Sequence, residues 1–256
     1  MTSIYVSVLG ISGAIPNKDH DTTSLAVQSS DFSALIDCGG SPLQKIQKVG
    51  IDPHNLDALI ITHRHPDHVY GLPSLLQGLG LLKRKKPLKL FTTEDNVSFI
   101  NSLIDLFDLR SLVEGFLQIN AFPFIPDYEI VRSKALSVFS TPVVHGLPTV
   151  AVKIINKFTR GTLTYSSDTS PCEQLIKFAK DSDVLIHECN FANSIVSEGH
   201  SNGAQAGNVA RLARARKLVL VHLPVYDGSI DSCREGALTE FSGEVVIPNE
   251  FAQYVI

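Results

Sequence analysis

The stretch Thr62-His63-Arg64-His65-Pro66-Asp67-His68 puts three imidazoles and one carboxylate into six consecutive residues, 63–68. Imidazole nitrogen and carboxylate oxygen are the ligands that zinc, manganese and iron accept. So dense a run reads as a metal-binding loop, against the plainer reading of a polar loop with satisfied histidines. Just upstream, residues 57–61 (Asp-Ala-Leu-Ile-Ile) are apolar on both faces, which predicts a short buried strand covered on both sides. The C-terminal end of such a strand is where α/β proteins place ligand sites.

Four clustered groups fill one metal position and part of a second, so further ligands are expected elsewhere in the chain. The other histidines are His20, His54, His145, His187, His200 and His222. His145 follows the apolar stretch 141–144, His222 follows a predicted strand at 218–221, and Asp168 follows another at 162–165. Any one of these alone reads as structural. Three ligand-type residues at three strand ends read as a set.

The rest of the chain fits an α/β protein. Further strands are predicted at 4–9, 24–28, 33–37, 88–91, 135–140, 150–155 and 183–186, and helices over about 42–49, 69–83, 95–109, from near Pro171, and over about 203–215. Strands grouped with strands, and helices between others, predict two sheets sandwiched by helices. With 256 residues, 44% hydrophobic and 19% charged, one domain over 1–256 is expected, and disorder is excluded. A net charge of −4 argues against a globally basic nucleic-acid surface. Cys38, Cys172, Cys189 and Cys233 form no CxxC pair, so neither a disulfide framework nor a cysteine zinc knuckle is expected. No apolar run reaches transmembrane length and the start, MTSIYVSVLG, does not read as a signal peptide. A cytoplasmic protein without membrane partners is the expectation.

Taken together, Asp37, the His63–His68 cluster, His145, Asp168 and His222 resemble, in order, the five motifs of the metallo-β-lactamase-fold hydrolases. The resemblance spans nearly the whole chain and implies a four-layered αββα sandwich with a dinuclear site. It implies that His63, His65 and His145 hold one metal, that Asp67, His68 and His222 hold the other, and that Asp168 bridges them. Asp37 would buttress the site from outside. Two divalent ions roughly 3.5–4 Å apart can hold a bridging water, lower its pKa and clamp both oxygens of an in-line displacement. That chemistry suits a phosphodiester, with zinc or manganese as the metal and iron as an alternative.

The flanks are similar to the ribonuclease Z (tRNase Z) branch: Asp37-Cys38-Gly39, Gln44, Gly71-Leu72-Pro73, Pro87-Leu88, His187-Glu188-Cys189-Asn190-Phe191 and Gly199-His200-Ser201. In that branch the equivalents of Glu188 and His200 form a proton-relay pair, and Asp67 doubles as general base. Three departures stand out. Only 23 positions separate His145 from Asp168, leaving no room for the branch's flexible arm. The first loop, residues 13–21, lacks the Arg-Asn pair, and Leu223-Pro224-Val225-Tyr226-Asp227 lacks the usual Ser and Arg. A phosphodiesterase acting on a small diester is therefore the first expectation, with tRNA 3′-processing as the alternative. Arylsulfatase or thioester hydrolysis, and a non-catalytic metal-binding homologue, follow behind; redox iron chemistry and a β-CASP nuclease are disfavoured. Two basic clusters, Lys83-Arg84-Lys85-Lys86 and Arg211, Arg214, Arg216 and Lys217, read as solvated charge before RNA contacts. The leucine-rich segment 71–82 is a candidate homodimer face, with a core helix as the competing reading.

Overall fold

The computed structural model describes residues 3–192, 194–226 and 229–256. One sheet contains β1 (Tyr5–Gly10), β2 (Ser24–Gln28), β3 (Ser33–Ile36), β4 (Ala58–Ile60), β5 (Leu88–Thr93), β6 (Leu117–Phe122) and β14 (Gln253–Val255), in the order β14-β1-β2-β3-β4-β5-β6. The other contains β7 (Tyr128–Arg132), β8 (Leu136–Val143), β9 (Thr149–Asn156), β10 (Thr162–Tyr165), β11 (Val184–Glu188), β12 (Lys217–Val221) and β13 (Glu244–Val246), in the order β13-β12-β11-β10-β9-β8-β7. Each sheet is antiparallel in one half and parallel in the other, with the parallel halves running β3 to β6 and β10 to β13.

Helices α1 (Pro42–Lys48), α3 (Leu72–Leu81), α4 (Glu94–Leu106) and α5 (Arg110–Val113) cover the first sheet, while α6 (Glu173–Phe178), α7 (Gly203–Ala213) and α8 (Ile230–Glu240) belong to the second half of the chain. The layering follows from strand alternation. Ala34, Ile36, Ala58 and Ile60 join the core that includes Val138, Val152, Leu163 and Tyr165 of the opposite sheet. Leu35 and Leu59 point the other way and pack with Ile46, Leu72, Leu75, Leu76, Leu79, Ile100 and Ile104. Residues 57–61 have no polar face because both sides of β4 are covered. The result is the expected αββα sandwich.

The predicted helix over 69–83 is α3, a few residues shorter at each end, and a separate short helix, α2 (Pro66–Val69), precedes it. Pro66 and Pro73 each sit in a first helical turn, where the missing N–H costs nothing, so each proline starts its own helix. Leu72, Leu75, Leu76 and Leu79 are buried in the helix–sheet core and only Leu81 and Leu82 are exposed, so the core-helix reading describes this segment. Strands β6, β7, β13 and β14 and helices α5 and α8 were not anticipated. Among the described residues, no helix is long and apolar enough to cross a membrane.

The first basic cluster has a packing role. Arg84 is 4% exposed, and its guanidinium donates to the carbonyls of Pro53, Leu56, Lys86 and Pro87. It ties the loop before β4 to the loop before β5, at the opposite ends of those strands from the histidines. Lys86 pairs with Asp57 at 2.7 Å. Arg84→Ala strands several buried carbonyls and is expected to cost about 3 kcal/mol in chemical denaturation, with metal uptake by the folded fraction unchanged.

Candidate metal centre

The site lies at the C-terminal ends of the parallel strands. Asp37 follows β3, His63 follows β4 by three residues, Asp168 follows β10 by three, Glu188 ends β11 and His222 follows β12. His145 follows β8, which brings it to the same end. Two groups of ligand-type atoms converge there: His63, His65, His145 and Asp168 in one, Asp67, His68, His222 and Asp168 in the other, each within 4.8 Å. Asp168 is shared by both.

In the first group, His65 Nδ1 lies 3.1 Å from His63 Nε2 and 2.9 Å from His145 Nε2. Asp168 Oδ2 is 3.7 Å from His63 Nε2 and 4.0 Å from His145 Nε2. Burial pushes all three imidazoles below their ordinary pKa, with the neighbouring histidines adding to the effect. Neutral rings aim lone pairs at one point. In the second group, His222 Nε2 is 3.2 Å from Asp67 Oδ2 and 3.3 Å from Asp168 Oδ2. His68 Nε2 is 3.4 Å from both Asp67 Oδ2 and Asp168 Oδ1. His68 Nε2 and Asp168 Oδ1 are buried with no hydrogen-bond partner. Orphaned donor atoms facing one another, in an all-imidazole and carboxylate set, fit divalent metal ions.

The electrostatics of the second group point the same way. Burial opposes charge on Asp67 and Asp168, yet the histidines around them hold both carboxyls well below the usual range. Burial likewise opposes charge on His68 and His222, but the aspartates raise both, His222 to about 8. The two carboxylates draw positive charge to this point, which either protons or metal ions can supply.

Around this centre the outer ring nitrogens of His63, His68 and His145 are held. His68 Nδ1 donates to Asp37 Oδ2 at 2.8 Å and His145 Nδ1 to the Gly199 carbonyl at 2.7 Å; His63 Nδ1 is 3.2 Å from Thr62 Oγ1. Gly199 has φ +83, a conformation open chiefly to glycine. Asp37 accepts from the Thr62 N–H at 2.9 Å and from its hydroxyl, and Ser167 Oγ donates to that hydroxyl from the other sheet at 2.9 Å. Glu188 is fully buried. Its Oε1 accepts from the N–H groups of Thr169 and Ser201 and from His200 Nδ1, and Oε2 accepts from the Asn190 N–H, at 3.0–3.1 Å. His200 therefore keeps Nε2 for the site, its side chain 20% exposed.

All seven predicted ligands, together with Glu188 and His200, are thus brought together. His187 is buried on the opposite face of β11, with Nδ1 donating to the Glu188 carbonyl; His54 lies exposed in a turn. Sequence reasoning passed over Thr62, Thr169 and Ser167, although Thr62 stands inside the deciding stretch. In the second basic cluster three residues meet carboxylates, Arg214–Asp181 at 2.8 Å, Arg216–Asp183 at 3.0 Å and Lys217–Glu244 at 2.9 Å, while Arg211 bonds the Asn208 side chain. In the first loop Lys18 pairs with Asp19 and Asp21 with Lys45 at 2.9 Å. Asp227, part of the third departure, lies outside the described residues.

Fold and site define a metal-dependent hydrolase of the metallo-β-lactamase fold. Residues 4–230 match the family described as "Anti-Pycsar protein Apyc1", and the chain belongs to that family. It is 31% identical over 249 residues to "Probable metallo-hydrolase YhfI" of Bacillus subtilis, covering 94% of this chain and 96% of that protein. The crystal structure of YhfI superposes with a TM-score of 0.87 at 28% identity, covering both chains fully. Ribonuclease Z of Pyrococcus abyssi is 25% identical, with 99% of this chain and 98% of that protein covered. A diphosphatase of the PhnP family shares the fold, with a TM-score of 0.76 at 17% identity, over 100% of this chain and 98% of that one.

Asp37→Asn retains a similar shape but turns an amide N–H₂ toward donors it now meets as an acceptor. It is expected to weaken metal binding about 10- to 100-fold, read by titration of metal-free protein against a chromophoric chelator, with circular dichroism unchanged.

Proposed function

We propose that this protein is a dinuclear phosphodiesterase acting on a small phosphodiester. In this reading His63, His65 and His145 hold one divalent ion, Asp67, His68 and His222 hold the other, and Asp168 lies between them; zinc is the first candidate, with manganese and iron as alternatives. When bound, such ions supply Lewis acidity and a water of lowered pKa. The chain's own residues do the rest. Asp67 receives the proton given up by the attacking water. His200, held by Glu188 through Nδ1, presents Nε2 to the leaving-group oxygen and protonates it. Glu188 acts here as a positioning residue, because its oxygens already accept three backbone N–H groups and the His200 ring.

The observation that carries the choice of substrate is where the basic side chains go. Arg84 is buried on carbonyls, and Arg214, Arg216 and Lys217 are each paired with a carboxylate. Between His145 and Asp168 the chain is occupied by β9 and β10, with no arm. Exposed apolar side chains stand near the site residues in sequence instead: Tyr70 two residues past His68, Val144 beside His145, Ile195 and Val196 between Glu188 and His200, and Tyr226 four past His222. That surroundings set suits a singly charged diester with an apolar or planar substituent better than an RNA backbone. The anti-Pycsar role named in the family's description is then exercised through hydrolysis of such a diester. The four free cysteines support a reducing, cytoplasmic setting.

Metal-loaded protein should hydrolyse bis(p-nitrophenyl) phosphate and 3′,5′-cyclic nucleotides and leave a 3′-extended precursor tRNA uncut. A clean cut after the discriminator base, without diester turnover, would overturn the proposal. Asp67→Ala should abolish turnover with the fold intact. By contrast, His200→Ala should lower kcat about 100-fold or more while metal content stays at the wild-type level; loss of metal would make His200 a ligand.

A further inference from the structure

Three of the clustered histidines are fixed from outside through the ring nitrogen that faces away from the centre, by Thr62, Asp37 and Gly199. His222 differs. Its Nε2 faces Asp67 and Asp168, but its Nδ1 is buried with no partner. A Cβ on Gly13 would stand 3.2 Å from that nitrogen and from Cε1, so the first loop walls the ring without bonding it. His222 also has φ +53, a left-handed backbone that a non-glycine residue keeps only when its surroundings impose it.

The surroundings that impose it come from the other sheet. Thr23, 1% exposed, precedes β2; its hydroxyl accepts from the His222 N–H at 3.0 Å and donates to the Ser12 carbonyl at 3.0 Å. The Thr23 N–H donates to the same carbonyl. At the next residue, Leu223 N–H donates to the Ile11 carbonyl at 2.8 Å and Gly13 N–H to the Leu223 carbonyl at 3.0 Å. A ligand-type side chain on one sheet is thus held by its main chain to a hydroxyl on the other.

We propose that Thr23 is a positioning residue that sets the affinity of the metal position formed by Asp67, His68 and His222. The inference rests on the ligand assignment given under Proposed function. Because the His222 ring has no outer hydrogen bond, its aim depends on its backbone; main-chain bonds hold the next residue, Leu223, and the Thr23 hydroxyl is the side-chain group that holds the His222 N–H itself across the sandwich. Valine has the shape of threonine and can neither accept from His222 nor donate to Ser12; serine can do both.

The test is stepwise metal titration of metal-free wild type, Thr23→Val, Thr23→Ser and His222→Ala with zinc against a competing chelator, alongside the visible spectrum of the cobalt-substituted proteins. Thr23→Val is expected to weaken the second binding step about 10- to 100-fold, leave the first within about threefold, and alter the cobalt bands; Thr23→Ser is expected to restore both readouts. Thr23→Ala repeats the measurement should the valine variant fail to fold. Wild-type second-step affinity in Thr23→Val or Thr23→Ala overturns the inference while the two-metal reading stands. Wild-type second-step affinity in His222→Ala overturns the ligand assignment itself, and the inference with it.

Discussion

Three imidazole nitrogens aimed at one point, with neighbours 2.9 and 3.1 Å apart, and two carboxylates exposed by only 2% and 6% make an arrangement that an interior without cations would not keep. Burial raises the cost of every charge, and here several charges and lone pairs of one kind are crowded together. The two groups of donors, which share Asp168, fit divalent metal ions, whose positive charge offsets the crowding. The rest of the architecture serves to deliver them there. Parallel strands β3, β4, β10, β11 and β12 all end at the same edge, so residues distant in sequence, from Asp37 to His222, meet within a few ångströms.

Delivery has a conformational cost, visible at three positions. Asp37, Ser167 and His222 adopt φ of 60, 53 and 53 within two residues of their strand ends, each at an expense on the order of 1–3 kcal/mol. All three are anchored by hydrogen bonds that cross between chain segments: Asp37 to Thr62 and His68, Ser167 to Thr62, His222 to Thr23. Thr62 sits at the hub, its hydroxyl donating toward Asp37 while accepting from Ser167. The sharp turn-outs point side chains back over the strand ends, which an extended backbone would carry past the site. Strain and hydrogen bonding are therefore two parts of one device, and removing an anchor should release the turn before it unfolds the sheet.

What could be read in advance depended on how local the information was. The His63–His68 stretch is contiguous, so its chemistry is legible without a fold. His145, Asp168 and His222 became legible because each directly follows an apolar strand, a pattern with period and punctuation. The strand at residues 24–28 and the strand at 162–165 were read with their observed limits for the same reason. β14 pairs Val255 with Tyr5 across nearly the whole chain, and no short window contains that pairing. β6 is a half-exposed edge strand whose mixed burial leaves no clear alternation. Thr23 and Thr62 act through hydroxyls, and an isolated threonine carries no signal of what its hydroxyl meets. The short helix α2 went unread although it had a visible signal, since Pro66, like Pro73, stands in the first turn of a helix.

The kinship with ribonuclease Z and the expectation of a small substrate are compatible, because chemistry and grip reside in different parts of the molecule. In the proposed reaction the chemistry rests on the converging donors and the Glu188–His200 pair, all within the inner site. Holding an RNA needs cations arrayed over tens of ångströms, since screening limits each charge to about 8 Å at physiological salt. Here Lys86, Arg214, Arg216 and Lys217 are each within 3.0 Å of a carboxylate, and the chain as a whole is negative. Such pairs look neutral from a Debye length away, which removes these four residues from any extended basic track. That is the basis on which the proposed substrate is a small diester, whose single phosphodiester needs no contacts beyond the inner site.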